Sequence, residues 1–337
     1  MVGEGQMTDA NAEAPLAGLQ DVTKVYRLRR MLGLGRAREL RAVDRVSLSI
    51  PRGQSFGLVG ESGCGKTTLG RILLGLVPAT SGEVFVDGAS VAGMVPEERR
   101  RLKRRMQIIF QNPYSSLNPS FNVRQILWEG YRQNPSAIED RGRQRLAEVL
   151  EQVGLSAEYL DRYPHQLSGG QRQRVGIARA LTVDPDLIVC DEPVSALDVS
   201  IQAQVLNLFI SLQRQLGLTY LFISHDLHVI RYVCDHVAVM YLGAIVERAP
   251  AKEIFSQPLH PYTVGLLAAS PQVGGGRIDK RPLLPGDLPD PTALPSGCRF
   301  RTRCPRAMEI CSQQEPHLLH AVGDHWVACH LYPGTRV

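Results

Sequence analysis

The stretch Gly60-Glu61-Ser62-Gly63-Cys64-Gly65-Lys66-Thr67 holds the residues whose types and order could do chemistry. It fits G-x-x-x-x-G-K-[ST], in which glycines let the backbone curl until successive N–H groups converge on phosphate oxygens. Lys66 then reaches the β- and γ-phosphates of a nucleotide, and Thr67 offers its hydroxyl to Mg²⁺. Ser62, Cys64 and Thr68 fall in the same cradle, with Cys64 read as a small packing residue. A second stretch, the apolar run from Leu187 to Cys190, ends in Asp191-Glu192. Alone it is equally a strand meeting a solvated turn. Beside a phosphate loop it predicts Asp191 on the metal and Glu192 as general base for an attacking water. A third, Leu167-Ser168-Gly169-Gly170-Gln171, opens the helical run Arg172 to Ala180 and makes a second phosphate-binding helix end. One γ-phosphate does not need two such ends from one side, so the second is expected to serve a nucleotide held by a partner.

Four cysteines crowd the last forty residues, as Cys298-x5-Cys304-x6-Cys311-x17-Cys329, while Cys64, Cys190 and Cys234 are scattered. In a chain with no signal peptide, clustered cysteines read as metal ligands before disulfides. The spacing is neither a paired C-x-x-C nor a ferredoxin run, and four thiolates suit either tetrahedral Zn²⁺ or a [4Fe–4S] cube. His320, His325 and His330 are alternative ligands that would favour zinc, or else solvated surface histidines.

The elements that must position these groups follow from periodicity. From Leu16 to about Glu247 short β-branched runs alternate with amphipathic stretches, the pattern of an α/β domain. Strands are predicted at 56–59, 107–110, 187–190, 220–223 and 236–241, the runs at Leu187 and Tyr220 apolar throughout as in parallel strands covered on both faces. Between Pro113 and Arg179 helical periodicity takes over, and beyond Ile254 prolines break the chain into a linker and a small module. The length of 337 residues allows roughly two domains. The net charge of +5 is nearly all arginine and is too mild for a nucleic-acid footprint. Arg99 to Arg105 is expected to be a solvated helix balanced by Glu97 and Glu98, and the basic insert from Arg27 to Arg41 a loop lengthening the first hairpin. No run of about 18 apolar residues occurs and the first fourteen residues are polar and acidic, so neither a membrane span nor a secretory signal is expected. A cytoplasmic-type chain results, which something else must hold if it works at a membrane.

With Leu167-Ser168-Gly169-Gly170-Gln171 lying between a P-loop and an Asp-Glu strand, the chain resembles the ATP-binding subunit of an ABC transporter, and the resemblance covers its whole length. It implies an α/β fold: a P-loop ABC-type nucleotide-binding domain with a RecA-like core, an antiparallel β subdomain and a helical subdomain, carrying a small Cys-rich C-terminal extension. The implied divisions are a polar tail at 1–15, the nucleotide-binding domain at 16–255 with its helical part at 113–179, and the extension at 256–337. Tyr26 matches the aromatic that stacks on adenine, Gln111 the glutamine that touches Mg²⁺ and the attacking water, and Asp198 of Ser195-Ala196-Leu197-Asp198 the loop that communicates across the dimer. His225 matches the histidine on the γ-phosphate, so Lys66, Gln111, Glu192 and His225 form the implied catalytic set. Two such domains would sandwich two ATP molecules, each held by Lys66 of one and Ser168 of the other. Trp128 and Tyr131 are read either as helical core or as the surface that receives the membrane subunits.

The stretches His260-Pro261-Tyr262-Thr263, Leu266 to Ala269 and Ala328-Cys329-His330 resemble the C-terminal extension of oligopeptide and dipeptide importer ATPases, in which the four-cysteine site is a [4Fe–4S] cluster. The implied partners are a second ABC ATPase subunit, copy or sister chain, two transmembrane permease subunits and an extracytoplasmic substrate-binding protein, with the chain peripheral at the cytoplasmic face of the inner membrane. Short peptides are the leading cargo. The rival is a soluble ABC ATPase acting on nucleic acid or ribosomes; such proteins usually carry two nucleotide domains or long coiled-coil inserts, and neither occurs here.

Overall fold

In the computed structural model the described residues are 15–28, 38–112, 116–131, 142–269 and 286–334. Strands β1 (Ala17–Leu28) and β2 (Arg38–Ile50) pair antiparallel. From Val46 to Ile50 every second residue of β2 is buried, the period-two signature of a half-covered sheet. The basic insert is shorter than its composition predicts, because Arg27 pairs with Glu39 and Leu28 with Arg38. Its remaining residues, 29–37, and the tail at 1–14 lie outside the described residues.

Strand β3 (Ser55–Val59) is buried at every position and leads through the P-loop into α1 (Lys66–Leu73). Strands β4 (Ser81–Val86) and β5 (Ala89–Ser90) complete the antiparallel sheet, in the order β2-β1-β4-β5. The basic helix α2 (Pro96–Arg105) buries only Leu102, and Glu97 pairs with Arg100 and Arg101, as a solvated helix should.

The second sheet collects β6 (Met106–Ile109), β7 (Leu187–Asp191), β8 (Thr219–Ser224) and β9 (His236–Tyr241) in parallel with β3. Its register decides the cores. Leu187, Val189, Leu221 and Ile223 face one side with Leu69 and Ile72 of α1. Ile188, Cys190, Tyr220 and Phe222 face the other. That second face is covered from the helical insertion, α3 (Val123–Tyr131), α4 (Gly142–Gln152) and α5 (Gly169–Leu181), and by α6 (Val199–Leu216) and α7 (Leu227–Val233). Tyr131 is core at 4% exposure, whereas Trp128 on the same helix is 37% exposed, so the pair read together from sequence divides.

The C-terminal module joins the sheet itself. After β10 (Ala244–Pro250), α8 (Ala251–Ser256) and α9 (Pro261–Ala269), the short strands β11 (Leu319–Val322) and β12 (His325–Val327) extend it, with Glu247 opposite Val327 and Arg248 opposite Trp326. Glu247 is fully buried and accepts from the N–H groups of Leu259 and His260, at 2.7 and 3.0 Å, and pairs with His325 Nε2 at 2.7 Å. A buried carboxylate with this many partners is a fastener rather than a liability. His325 is therefore neither a zinc ligand nor a solvated histidine, because it is buried against Glu247. His320 bonds the carbonyl of Gly323, and His330 that of Gln314 at 3.0 Å.

Candidate nucleotide site

Two glycines explain the path of the P-loop. Gly60 and Gly65 have φ of 154° and 111°, and a Cβ on either would meet a backbone oxygen, Met240 O at 2.2 Å or Ala42 O at 2.0 Å. No other residue fits so tight a strand-to-helix turn. The turn leaves Lys66 buried, its Nζ donating to the carbonyls of Gly60 and Glu61 at 2.7 and 2.9 Å. Cys64 is buried and its thiol is pushed up, chiefly by burial, so it packs rather than reacts.

At the end of β7 the Thr67 hydroxyl donates to Asp191 Oδ1 at 2.9 Å. Burial raises the Asp191 carboxyl above the usual carboxylate range, opposed by the Thr67 bond and by Arg71. A hydroxyl and a carboxylate oxygen brought together, with the Gln111 amide nearby, are hard donors that fit Mg²⁺. The next residue, Glu192, takes a left-handed φ of 48°, a conformation uncommon outside glycine. Its carboxylate accepts from Gln111 Nε2 at 2.6 Å and pairs with His225 Nδ1 at 2.8 Å. One carboxylate is thus oriented at both oxygens by groups from the ends of β6 and β8.

A cavity of about 460 Å³ is lined by Tyr26, Ser62 to Thr68, Gln111, Glu192 and His225, whereas Gly60 and Asp191 are not among its lining residues. Tyr26 stands half open in its wall, with Lys24 Nζ 5.0 Å from the ring centroid. A second cavity of about 600 Å³ shares Gln111, Glu192 and His225 and extends to Ser195 and Ala196. Glu192 therefore stands where the two spaces meet.

Ser168, Gly169, Gly170, Gln171 and Asp198 line neither cavity. Ser168 caps α5 by a reciprocal pair, its Oγ accepting from Gln171 N at 3.3 Å while its N donates to Gln171 Oε1 at 3.0 Å. Gly170 is required because a Cβ there would lie 2.6 Å from Ile201 of α6. Ser168 is exposed, and it is absent from the lining of the chain's own nucleotide cavity.

Sequence reasoning missed Arg41, Ala42, Leu242, Gly243 and Pro291, which also line the nucleotide cavity. It also missed two residues of the C-terminal module. Tyr262 Oη accepts from Glu61 N at 2.9 Å, and Arg303 donates from both guanidinium nitrogens to the Glu61 carboxylate at 2.7 and 3.0 Å. Only the fold brings them there, and no spacing along the chain signals it.

The four C-terminal cysteines share one neighbourhood without forming the expected ligand set. Cys298 N donates to Cys311 O at 2.8 Å, and the Cys298 thiol is pushed up to about 11, chiefly by burial and further by the other three. Burial also raises Cys304 and Cys329. Among the described residues, however, no three His, Cys, Asp or Glu side chains are grouped closely enough to hold a metal ion. The upward shifts of Cys298, Cys304 and Cys329 favour their neutral thiol form. The donor chemistry suits iron or zinc, but the geometry described is no cage.

The family profile described as "ABC transporter" matches residues 43–195, and "Oligopeptide/dipeptide transporter, C-terminal region" matches 246–311. The oligopeptide transport ATP-binding protein AppF of Bacillus subtilis is 46% identical over 97% of this chain and 100% of its own length. The chain belongs to the ABC transporter ATP-binding proteins of the oligopeptide/dipeptide family. The dipeptide transport ATP-binding protein DppF of Haemophilus influenzae is 44% identical over 95% of this chain and 98% of its own. Among solved structures, a dimeric ATP-binding cassette in a post-hydrolysis state with ADP and Pi matches with a TM-score of 0.59 and 29% identity, over 70% of this chain and 98% of that one. CbiO1 of Clostridium perfringens, part of an ABC transporter complex, matches with 0.62 and 26%, over 73% and 92%. The chain is accordingly an ATP-hydrolysing ABC subunit with the α/β P-loop fold, and a soluble nucleic-acid ATPase is not favoured.

Proposed function

We propose that this subunit drives the import of peptides or similar small solutes by ATP-dependent closure of an ABC dimer. The observation that carries the chemistry is the Glu192 carboxylate held between Gln111 and His225, beside the Thr67–Asp191 pair. A water placed against Glu192 meets a base of fixed orientation at the γ-phosphate end of the cradle. Lys66 holds the β- and γ-phosphates, Tyr26 receives the adenine, and Thr67, Asp191 and Gln111 hold Mg²⁺, which neutralises charge on the phosphates. Ser168, Gly169, Gly170 and Gln171, with Asp198, serve the ATP of a second ATPase subunit. Hydrolysis is thereby tied to dimer closure.

Peptide cargo is supported by the names of the relatives, AppF and DppF. Among the described residues no helix is long and apolar enough to cross a membrane. The reading therefore includes two transmembrane permease subunits that hold the chain at the cytoplasmic face of the inner membrane, and a substrate-binding protein that delivers cargo. It also includes a [4Fe–4S] cluster on Cys298, Cys304, Cys311 and Cys329, supported by donor type alone and tested by iron and acid-labile sulfide content. Stoichiometric zinc without iron would overturn the cluster. The test of function is ATP hydrolysis by the reconstituted complex, which peptides should stimulate when the binding protein is present. Stimulation by DNA or ribosomes, with no membrane partner, would overturn it.

A further inference from the structure

We propose that Arg303 and Tyr262, both from the C-terminal module, are positioning residues of the nucleotide site, which clamp Glu61 of the P-loop and thereby set its affinity for ATP. Every polar group of Glu61 is engaged. Its N–H donates to Tyr262 Oη at 2.9 Å, its carbonyl accepts from Lys66 Nζ at 2.9 Å, and its carboxylate takes both arms of the Arg303 guanidinium. Two of these three anchors come from the C-terminal module, and the third is the lysine expected on the phosphates.

The anchors are rigid. The Arg303 side chain is only 6% exposed and grips Glu61 in the bidentate geometry that fixes direction as well as charge. Tyr262 is fully buried, with its ring 4.6 Å from Tyr241 and 5.5 Å from Phe300, so its hydroxyl cannot swing away. A neighbouring arginine grips the same cavity elsewhere: Arg299 donates to Leu242 O at 2.6 Å and pairs with Asp44. Leu242 lines the nucleotide cavity.

The charge balance explains why the clamp concerns ATP rather than folding alone. A loop that must receive a triphosphate carries a carboxylate at its second residue. Paired with Arg303 that carboxylate is neutralised, whereas unpaired it repels phosphate and competes for Lys66. Removing Arg303 should therefore harm nucleotide binding because Glu61 remains, and removing Glu61 as well should relieve it.

The inference rests on the reading of Gly60 to Thr67 as the ATP cradle, which Lys66→Ala tests separately. Binding of a fluorescent N-methylanthraniloyl-ATP with Mg²⁺ is measured on the full-length chain carrying Arg303→Gln, Arg303→Lys, Tyr262→Phe, Glu61→Gln, and Arg303→Gln with Glu61→Gln. Arg303→Gln should weaken binding about tenfold, within the usual range of coupling between sites. Arg303→Lys should recover part of that loss. The double variant should bind within about twofold of Glu61→Gln alone, a non-additivity expected only of directly coupled groups. In the assembled transporter KM for ATP should rise while kcat changes less. Wild-type affinity in Arg303→Gln, or a double variant no better than Arg303→Gln, would overturn the clamp. Should Arg303→Gln not fold, Tyr262→Phe decides, with weaker binding expected and wild-type affinity overturning it. Loss of binding in Lys66→Ala but not in Arg303→Gln would defeat the clamp alone; wild-type binding in Lys66→Ala would defeat the cradle.

Discussion

Glu192 carries the most specific consequence at the scale of single residues. It is bonded at both oxygens, by Gln111 and by His225, so an amide in its place keeps the shape while losing the basicity. Glu192→Gln is predicted to retain ATP binding and to lose hydrolysis roughly 10²- to 10⁴-fold, the usual worth of a positioned base. Near-normal single-turnover rates would show that another group takes the proton. At this scale much of the site was legible in advance, because Lys66, Thr67, Asp191 and Glu192 belong to short stretches whose order states their chemistry. Arg303 and Tyr262 were not, because their roles depend on a distant segment folding back onto Glu61.

At the scale of elements, the strands around the P-loop were readable because each is a run of apolar residues bounded by turn chemistry. Strands β11 and β12 were not, since four- and three-residue strands carry too little periodicity to register. The pieces that fasten them are buried polar groups, and these have a pH consequence. Burial pushes His260 down to about 4, and it stays neutral while accepting from Tyr262 N at 3.0 Å. The unfolded chain takes up a proton near pH 6.5 that the folded chain refuses, so the stability due to this group is full above pH 6.5 and lost as pH falls towards 4. The loss amounts to up to about 3 kcal/mol. Urea midpoints between pH 7 and 4.5 should therefore fall less steeply in His260→Asn than in the parent chain; parallel slopes would remove His260 from the account.

For the whole molecule, Ser168 is exposed and does not line the cavity that holds Lys66, and this bears on assembly. In the proposed site, Lys66 comes from one subunit and Ser168 from the other. Ser168→Arg should accordingly cut hydrolysis by the assembled transporter roughly 10²-fold, as loss of a preorganised phosphate contact does. Unchanged turnover would place the second phosphate contact elsewhere. The redundancy of two phosphate-binding helix ends is legible in the sequence and motivates the two-subunit site, whereas the path of the chain between them is not legible there.

The pairing of β12 with β10 also bears on synthesis and quality control. Strand β10 leaves the ribosome long before β12, and until the last segment arrives its outer edge offers unpaired N–H and C=O groups to any passing strand. Arg303 arrives almost as late. A nascent or prematurely ended chain would thus be both sticky and poorly charged with ATP. Ending translation after Ser256 should yield a protein that aggregates, and a soluble monomer of that length would show that the edge needs no cover. The arrangement would let only a completed chain become a competent motor, so that translation itself acts as the checkpoint on assembly.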